Sequence, residues 1–345
     1  MSEWLSFLDA KQILFFLGGC GVFLGAFFTI LAIKFFPRFS LLDFPERYGL
    51  MREKIPYPGG LALLPLFALV VIIDVKFLAL FPAIFLLAAV SFWDDKRPIS
   101  PWFRLGVQCA GAAWLFFQGI KIDFIGIPWE GTNFALAESF PLLAFFITVI
   151  WIVAITNAMN WFDGLPGLTP GVASIGFLAL GILGLIKPEL WLDPQHTTLT
   201  QANWYLAGIF FGAFFFYLQK KIILGDTGSQ VTGMLLATLA IFLGAKIATT
   251  LLVLSLPLLD LFFVVLRRVF LEKKSPAAHD KKHFHHNLSL LLGEKKSSTL
   301  LIFFSLIFGV LAVVSGGLWK TIVLVIIGVF ILVIMAVVYR KIFSR

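Results

Sequence analysis

Apolar runs broken by short polar clusters dominate the chain. They fall at about 12–36, 59–74, 77–93, 102–120, 140–157, 166–186, 203–219, 227–244, 246–270, 298–316 and 319–342, close to the ~20 residues a helix needs to cross a bilayer. The pattern predicts an all-α polytopic membrane protein: eleven spans in one transmembrane domain over residues 1–345. Several runs are short, so broken helices or helices partly buried in protein are expected. Residues 120–133 alternate as Ile-Lys-Ile-Asp-Phe-Ile-Gly-Ile-Pro-Trp, which predicts a short β-hairpin. No internal repeat or low-complexity tract is present.

Composition agrees. Hydrophobic residues make up 60% of the chain and charged residues 13%, against roughly 25% charged in a soluble domain. That excludes a secreted domain, a disordered protein and a soluble nucleic-acid binder. Cys20 and Cys109 lie in apolar runs without disulfide or metal-ligand spacing and read as small buried hydrophobes. The first apolar run exceeds the ~7–15-residue core of a signal peptide, and Glu3 and Asp9 precede it, so no cleavable leader is expected.

The net charge is +8. All but six of the 27 Lys and Arg residues fall in the connections after spans 1, 3, 5, 7 and 9, the adjoining helix ends and the C-terminal tail. This asymmetry predicts that the loops at about 37–58, 94–101, 158–165, 220–226 and 271–297 face the cytoplasm with the C-terminus. The N-terminus and the hairpin are then outside.

Polar clusters stand almost entirely on that basic side. The first loop carries Arg52, Lys54 and a Pro58-Gly59-Gly60 turn, where backbone can approach a ligand or a neighbouring helix. Asp94 and Asp95 end an apolar helix, at the unfavourable pole of its dipole. The pair suits metal coordination or general-base work, or else an ion cluster neutralised by Lys96, Arg97 and Arg104. Asn157, Asn160 and Asp163 are three apart and could meet a nucleotide, an amide or a metal's water shell, or could tie helices together. Gly225-Asp226-Thr227-Gly228-Ser229 opens a helix whose amides favour phosphate, with Asp226 able to hold a divalent cation; a plain helix cap is the alternative. His279, His283, His285 and His286 lie within eight residues. Their spacing does not suit structural zinc, and anion binding is the more economical reading. His196 reads as incidental. Asp260, with Arg267 two turns on, needs a partner within its apolar run.

In this order and on one side, Asp94-Asp95, Asn157-x-x-Asn160-x-x-Asp163-Gly164, Gly225-Asp226-x-Gly228-Ser229 and His283-x-His285-His286 resemble the polyprenyl-phosphate N-acetylhexosamine-1-phosphate transferase family. The resemblance runs from about Asp43 to Leu288 and includes enzymes that start O-antigen, enterobacterial common antigen and teichoic acid synthesis, and the phospho-MurNAc-pentapeptide translocase. It implies transfer of a sugar-1-phosphate from a UDP-sugar to polyprenyl phosphate, with Mg2+ (or Mn2+) and release of UMP, at the cytoplasmic face of the inner membrane. It implies Asp94, Asp95 and Asp163 as catalytic residues and Asp226 with Asp163 as metal ligands. Asn157, Asn160, Arg104, Lys54, His283, His285, His286, Gly225, Gly228 and Asp260 would bind substrate. The partners implied are the nucleotide sugar, the lipid phosphate and the membrane, without nucleic acid; a homodimer is left open. A UDP-GlcNAc-like donor is favoured over UDP-MurNAc-pentapeptide, because Pro257, Asp260, Arg267 and the histidine stretch resemble the former branch. A transporter with intramembrane acids, or a non-catalytic lipid-phosphate binder, is the reading from another class. Three departures stand out. Pro166 replaces a second acid common in the family, Arg104 replaces the usual Lys, and no His accompanies Arg52 and Lys54. The first bears on the metal's ligand set and on sugar preference.

Overall fold

The computed structural model describes residues 2–48, 53–127, 132–186, 194–242, 247–276 and 282–343. The described chain is mostly helical: α1 (Ser2–Phe35), α2 (Gly60–Ala68), α3 (Val70–Ile73), α4 (Phe81–Lys96), α5 (Pro101–Phe117), α6 (Leu136–Ser139), α7 (Pro141–Trp161), α8 (Leu168–Ile186), α9 (Pro194–Leu218), α10 (Gly225–Phe242), α11 (Ile247–Val253), α12 (Ser255–Leu266), α13 (Phe284–Leu292), α14 (Glu294–Val314) and α15 (Gly317–Phe343). Proline stands in the first turn of α4, α5 and α7, where its missing N–H costs no helical hydrogen bond.

Six described segments are long and apolar enough to cross a membrane: Lys11–Phe39, Val75–Lys96, Pro141–Trp161, Leu168–Ile186, Glu294–Val314 and Gly317–Ile342. A seventh is added if Ile247–Val253 and Ser255–Leu271, bent by 80°, form one broken span. The other expected runs land on α2–α3, α5, α9 and α10. These are helical but short or interrupted by polar residues, so length and hydropathy alone mark six or seven of the eleven expected spans among the described residues.

Polarity is distributed for lipid. Phe85, Phe117 and Trp319 are each more than 70% exposed, while Gln108, Thr156, Asn203, Gln230 and Asp260 are buried. The polar interior centres on α10, where every residue from Thr227 to Ile241 is buried. Packed against α2, α4, α7 and α8, α10 is solvated by protein rather than lipid, which is why it can carry Thr, Ser and Gln. Trp151 donates from Nε1 to the Ala237 carbonyl at 3.0 Å, joining α7 to α10.

Glycine sets two close approaches. A Cβ on Gly60 would lie 2.2 Å from the Cα of Gly228, so α2 and α10 touch backbone to backbone. On α1 and α9, Gly21 and Gly25 face Gly208 and Gly212. Added Cβ atoms at the first pair would meet the Tyr205 and Ile209 carbonyls at 2.2 and 2.1 Å. Paired small residues four apart are a common solution to helix contact in lipid, where hydrophobic burial gives no preference for protein over lipid.

The hairpin is present. β1 (Phe124–Ile127) and β2 (Thr132–Ala135) pair antiparallel, Phe124 opposite Ala135 and Ile127 opposite Thr132, so the second strand extends past the expected limit. Residues 128–131 lie outside the described residues. Cys20 and Cys109 are free but only half-buried, contrary to the expectation of buried positions. His196, expected in a loop, falls within α9.

Candidate active site

A cavity of about 530 Å3 opens where α4, α7 and α9 end and α8, α10 and α14 begin. Its wall includes Asp43, Tyr57, Asp95, Asn160, Asp163 and Asp226. Gly164, Pro166, Gly225 and His286 also contribute to the wall, while Lys220 and Glu294, salt-bridged to each other, stand at it as well. Acids from three expected motifs therefore meet one space.

The adjacent acids of α4 part company. Successive helical residues point about 100° apart. Asp94 turns to Arg104, with which it forms a salt bridge, and accepts from the Ile99 amide at 2.8 Å. The Arg104 guanidinium also bonds Asp226 at 2.8 Å, linking α4, α5 and α10. Asp95 instead reaches the amino end of α10, where it accepts from the amides of Asp226 at 2.9 Å and Thr227 at 3.0 Å. The negative end of α4 thus receives two compensations, a cation and the positive pole of another helix. Lys96, a candidate neutraliser, lies over the Phe92 ring instead.

The asparagine motif divides likewise. Asn157 donates to Gln108 Oε1 at 2.6 Å and to the Val153 carbonyl at 2.8 Å, and Gln108 donates to Gln230 Oε1 at 2.9 Å. Its amide belongs to an interhelical network one turn below Asp226, the structural alternative weighed from sequence. Asn160 lines the cavity and donates to Ser229 Oγ at 3.0 Å. Asp163 lies beyond the end of α7, not on one helical face with the asparagines. Burial pushes its carboxyl well above the usual range, and the Asp226 and Asp95 carboxylates add to the rise against the opposing Thr169 hydroxyl and Gly225 amide.

Asp260 finds its expected partner, and it is not Arg267. Its oxygens accept from the Phe284 amide at 2.9 Å and meet His285 Nδ1 at 2.7 Å, with His283 Nδ1 at 3.5 Å. Arg267 donates to the Lys282 carbonyl at 2.9 Å and lies over the Tyr339 ring. Asp260, His283 and His285 are close enough to share a metal. Yet two ligands on one tetrahedral zinc stand about 3.3 Å apart at bond lengths near 2.0–2.1 Å, so the 2.7 Å contact is a hydrogen bond. Burial lowers the His285 pKa against the pull of Asp260, which leaves a neutral ring donating from Nδ1. Its Nε2 and the His286 ring press on Gly164, where a Cβ would lie 2.4 Å from the former. The histidine segment is thereby locked against the Asp163-Gly164 turn. His279 and Asp280 lie outside the described residues.

Lys54 stands behind the wall: it pairs with Glu46 at 3.4 Å and covers the ring of Phe44, which lines the cavity. Gly228 serves the contact with Gly60, and Gly225 turns the chain into α10 with φ 77°. Arg52 lies outside the described residues. The sequence reading missed Asp43 and Tyr57. Both arrive through a backbone ladder in which Asp43 N bonds the Ile55 carbonyl, Tyr57 N the Leu41 carbonyl and Ile223 N the Pro56 carbonyl, at 3.0–3.1 Å. Only Asp43, ahead of the Pro-Glu-Arg run, carried a signal that could have found it.

The sequence model of the family described as Glycosyl transferase family 4 matches residues 77–244, which contain Asp94, Asp95, Asn160, Asp163 and Asp226. The match covers just under half of the chain, so the chain is similar to this glycosyl transferase family over that stretch. Among its relatives is a probable undecaprenyl-phosphate N-acetylglucosaminyl 1-phosphate transferase of Bacillus subtilis, 28% identical over 71% of this chain and 69% of the relative. A decaprenyl-phosphate N-acetylglucosaminephosphotransferase of Mycolicibacterium smegmatis is 25% identical over 71% of this chain and 68% of the relative. A phospho-N-acetylmuramoyl-pentapeptide-transferase of Levilactobacillus brevis is 28% identical over 52% of this chain and 54% of the relative. The chain thus spans about two thirds of the first two and about half of the third. Together with the apolar helices, these likenesses support a multi-pass membrane protein.

Proposed function

We propose that the protein transfers N-acetylhexosamine-1-phosphate from UDP-GlcNAc or a similar nucleotide sugar to undecaprenyl or another polyprenyl phosphate, releasing UMP. A phosphate oxygen of the lipid bonds to the β-phosphorus of the donor, and the bond from that phosphorus to the UMP oxygen breaks. The observation that carries this reading is the convergence of Asp95, Asp163 and Asp226 with Asn160 and His286 on one cavity, in a chain whose relatives bear such names.

The oxygen-rich wall fits a hard divalent cation such as Mg2+ or Mn2+, with Asp226 and Asp163 as holders. Pro166 contributes no side-chain oxygen; Asp43, on the same wall, keeps the carboxylate density high. When bound, the metal would screen two phosphorylated reactants and stabilise charge on the leaving UMP. The chain's own groups supply the rest. Arg104, held between Asp94 and Asp226, offers a cation to an incoming phosphate. Asp163 holds a proton more readily than an ordinary carboxyl. His286, braced by Asp260 through His285, lines the cavity where the diphosphate would sit. Orientation follows the basic loops: eleven spans, N-terminus outside, active site on the cytoplasmic side of the inner membrane, in cell-envelope glycan synthesis.

The Levilactobacillus likeness favours UDP-MurNAc-pentapeptide as the second donor. The test is UMP release by purified protein with undecaprenyl phosphate and Mg2+ over a panel of UDP-sugars. Release with UDP-N-acetylhexosamines is expected; release with none, in Mg2+ or Mn2+, would overturn the proposal.

A further inference from the structure

Asp95 makes no contact that frees it for chemistry. An ionised carboxylate has about four acceptor sites, and four donors occupy this one. Oδ1 takes the Tyr57 hydroxyl and the Asp226 amide, and Oδ2 takes both the amide and the hydroxyl of Thr227. The group is buried. A general base needs an unengaged lone pair facing the proton it removes; Asp95 edges the cavity with all four sites engaged. Asp95 instead stands where a capping side chain would stand for α10, supplied across the bundle by α4.

We propose that Asp95, held by Tyr57, is a positioning residue: it clamps the amino end of α10 and so fixes where Asp226 points. One clamped amide is that of Asp226 itself, and the next is that of Thr227, so the clamp acts on the very peptides that set the Asp226 side chain. Tyr57 is in turn set by the ladder that joins residues 41, 56, 57 and 223, so the first loop, besides lining the cavity, reports to Asp226 through the clamp. Arg104 braces Asp226 from the opposite side. The two neighbouring acids of α4 thus serve one residue in two ways, Asp94 by holding Arg104 and Asp95 by holding the helix.

This inference rests on the proposed function, in which Asp226 holds a divalent cation. Mn2+ binding followed by electron paramagnetic resonance on purified, detergent-solubilised protein separates the two. Loss of the site in Asp226→Asn is expected, and a wild-type protein that binds no Mn2+ would overturn the functional reading itself. Asp95→Asn should weaken Mn2+ by about 10- to 100-fold, as groups behind a metal ligand do. Tyr57→Phe should weaken it in the same direction, and the double variant should be no worse than Asp95→Asn alone. The pH profile of UMP release should keep its shape in Asp95→Asn while kcat falls. Unchanged Mn2+ affinity with turnover abolished in Asp95→Asn would make Asp95 a base and refute the inference. If Asp95→Asn does not fold, Tyr57→Phe and Thr227→Val carry the same comparison, and unaltered Mn2+ affinity in both refutes it.

Discussion

Gly60→Ala probes the contact that seats the first loop on α10. The new Cβ would lie 2.2 Å from Gly228 Cα and 2.3 Å from its N, and neither atom can swing aside as a side-chain tip would. Ordinary contact at about 3.4 Å or more requires α2 to retreat by roughly 1 Å. Two backbone bonds resist, Gly59 N to the Ile223 carbonyl at 2.6 Å and Gly60 N to the Leu224 carbonyl at 2.8 Å. Losing both costs about 1–3 kcal/mol at ~0.5–1.5 each, and overpacking adds about 1–3 kcal/mol, so a loss of ~2–6 kcal/mol is expected. Gly106→Ala on α5 is the control. Nothing lies within 4 Å of its Cβ, and helix propensity alone predicts a gain of up to about 1 kcal/mol. Thermal unfolding in detergent, followed by fluorescence-detected size exclusion, should show Gly60→Ala melting well below wild type and Gly106→Ala at or above it. Equal melting of both variants would refute the argument from backbone contact.

Other outcomes follow from the same geometry. Gly164→Ala should raise KM for the nucleotide sugar at least ~10-fold with a smaller change in kcat, because its Cβ would displace His285 from Asp260 at a cost of about 1–3 kcal/mol; an unchanged KM in steady-state UMP release would contradict it. Mn2+ affinity should fall with decreasing pH, starting above the ordinary carboxylate range, because Asp163 binds a proton more tightly than usual and must lose it to serve as a ligand. A flat affinity from neutral pH down into the ordinary carboxylate range would remove Asp163 from the ligand set. Gly25→Leu should destabilise the α1–α9 pair and lower the yield of monodisperse protein in detergent, since even a Cβ would lie 2.1 Å from the Ile209 carbonyl; normal yield and melting would count against it.

Much of the site was legible because its motifs are short and local. A glycine-acid-glycine helix start, an acid pair at a helix end and a histidine run each announce themselves, and their order along the chain carries the family resemblance. What was not legible depends on distance. Asp94 and Asp95 are indistinguishable as letters, and only the direction each takes from α4 assigns one to Arg104 and the other to α10. Tyr57 gives no local signal; it becomes part of the wall because it pairs with Leu41 while its neighbour Pro56 pairs with Ile223, more than 160 positions away. Asn157 looked like Asn160, yet its position one turn deeper commits it to Gln108. Length and hydropathy mark fewer spans than the apolar runs do for a related reason, since α10 is shielded by protein and need not be as apolar as a lipid-facing helix.

The central claim is that Asp226 and its neighbours join two phosphorylated reactants, and the lipid product tests it most directly. Purified protein incubated with undecaprenyl phosphate, UDP-GlcNAc and Mg2+ should yield undecaprenyl-diphosphate-GlcNAc by mass spectrometry of the extracted lipid, with none formed by Asp226→Asn of equal thermal stability. Undiminished lipid product from Asp226→Asn would contradict the account.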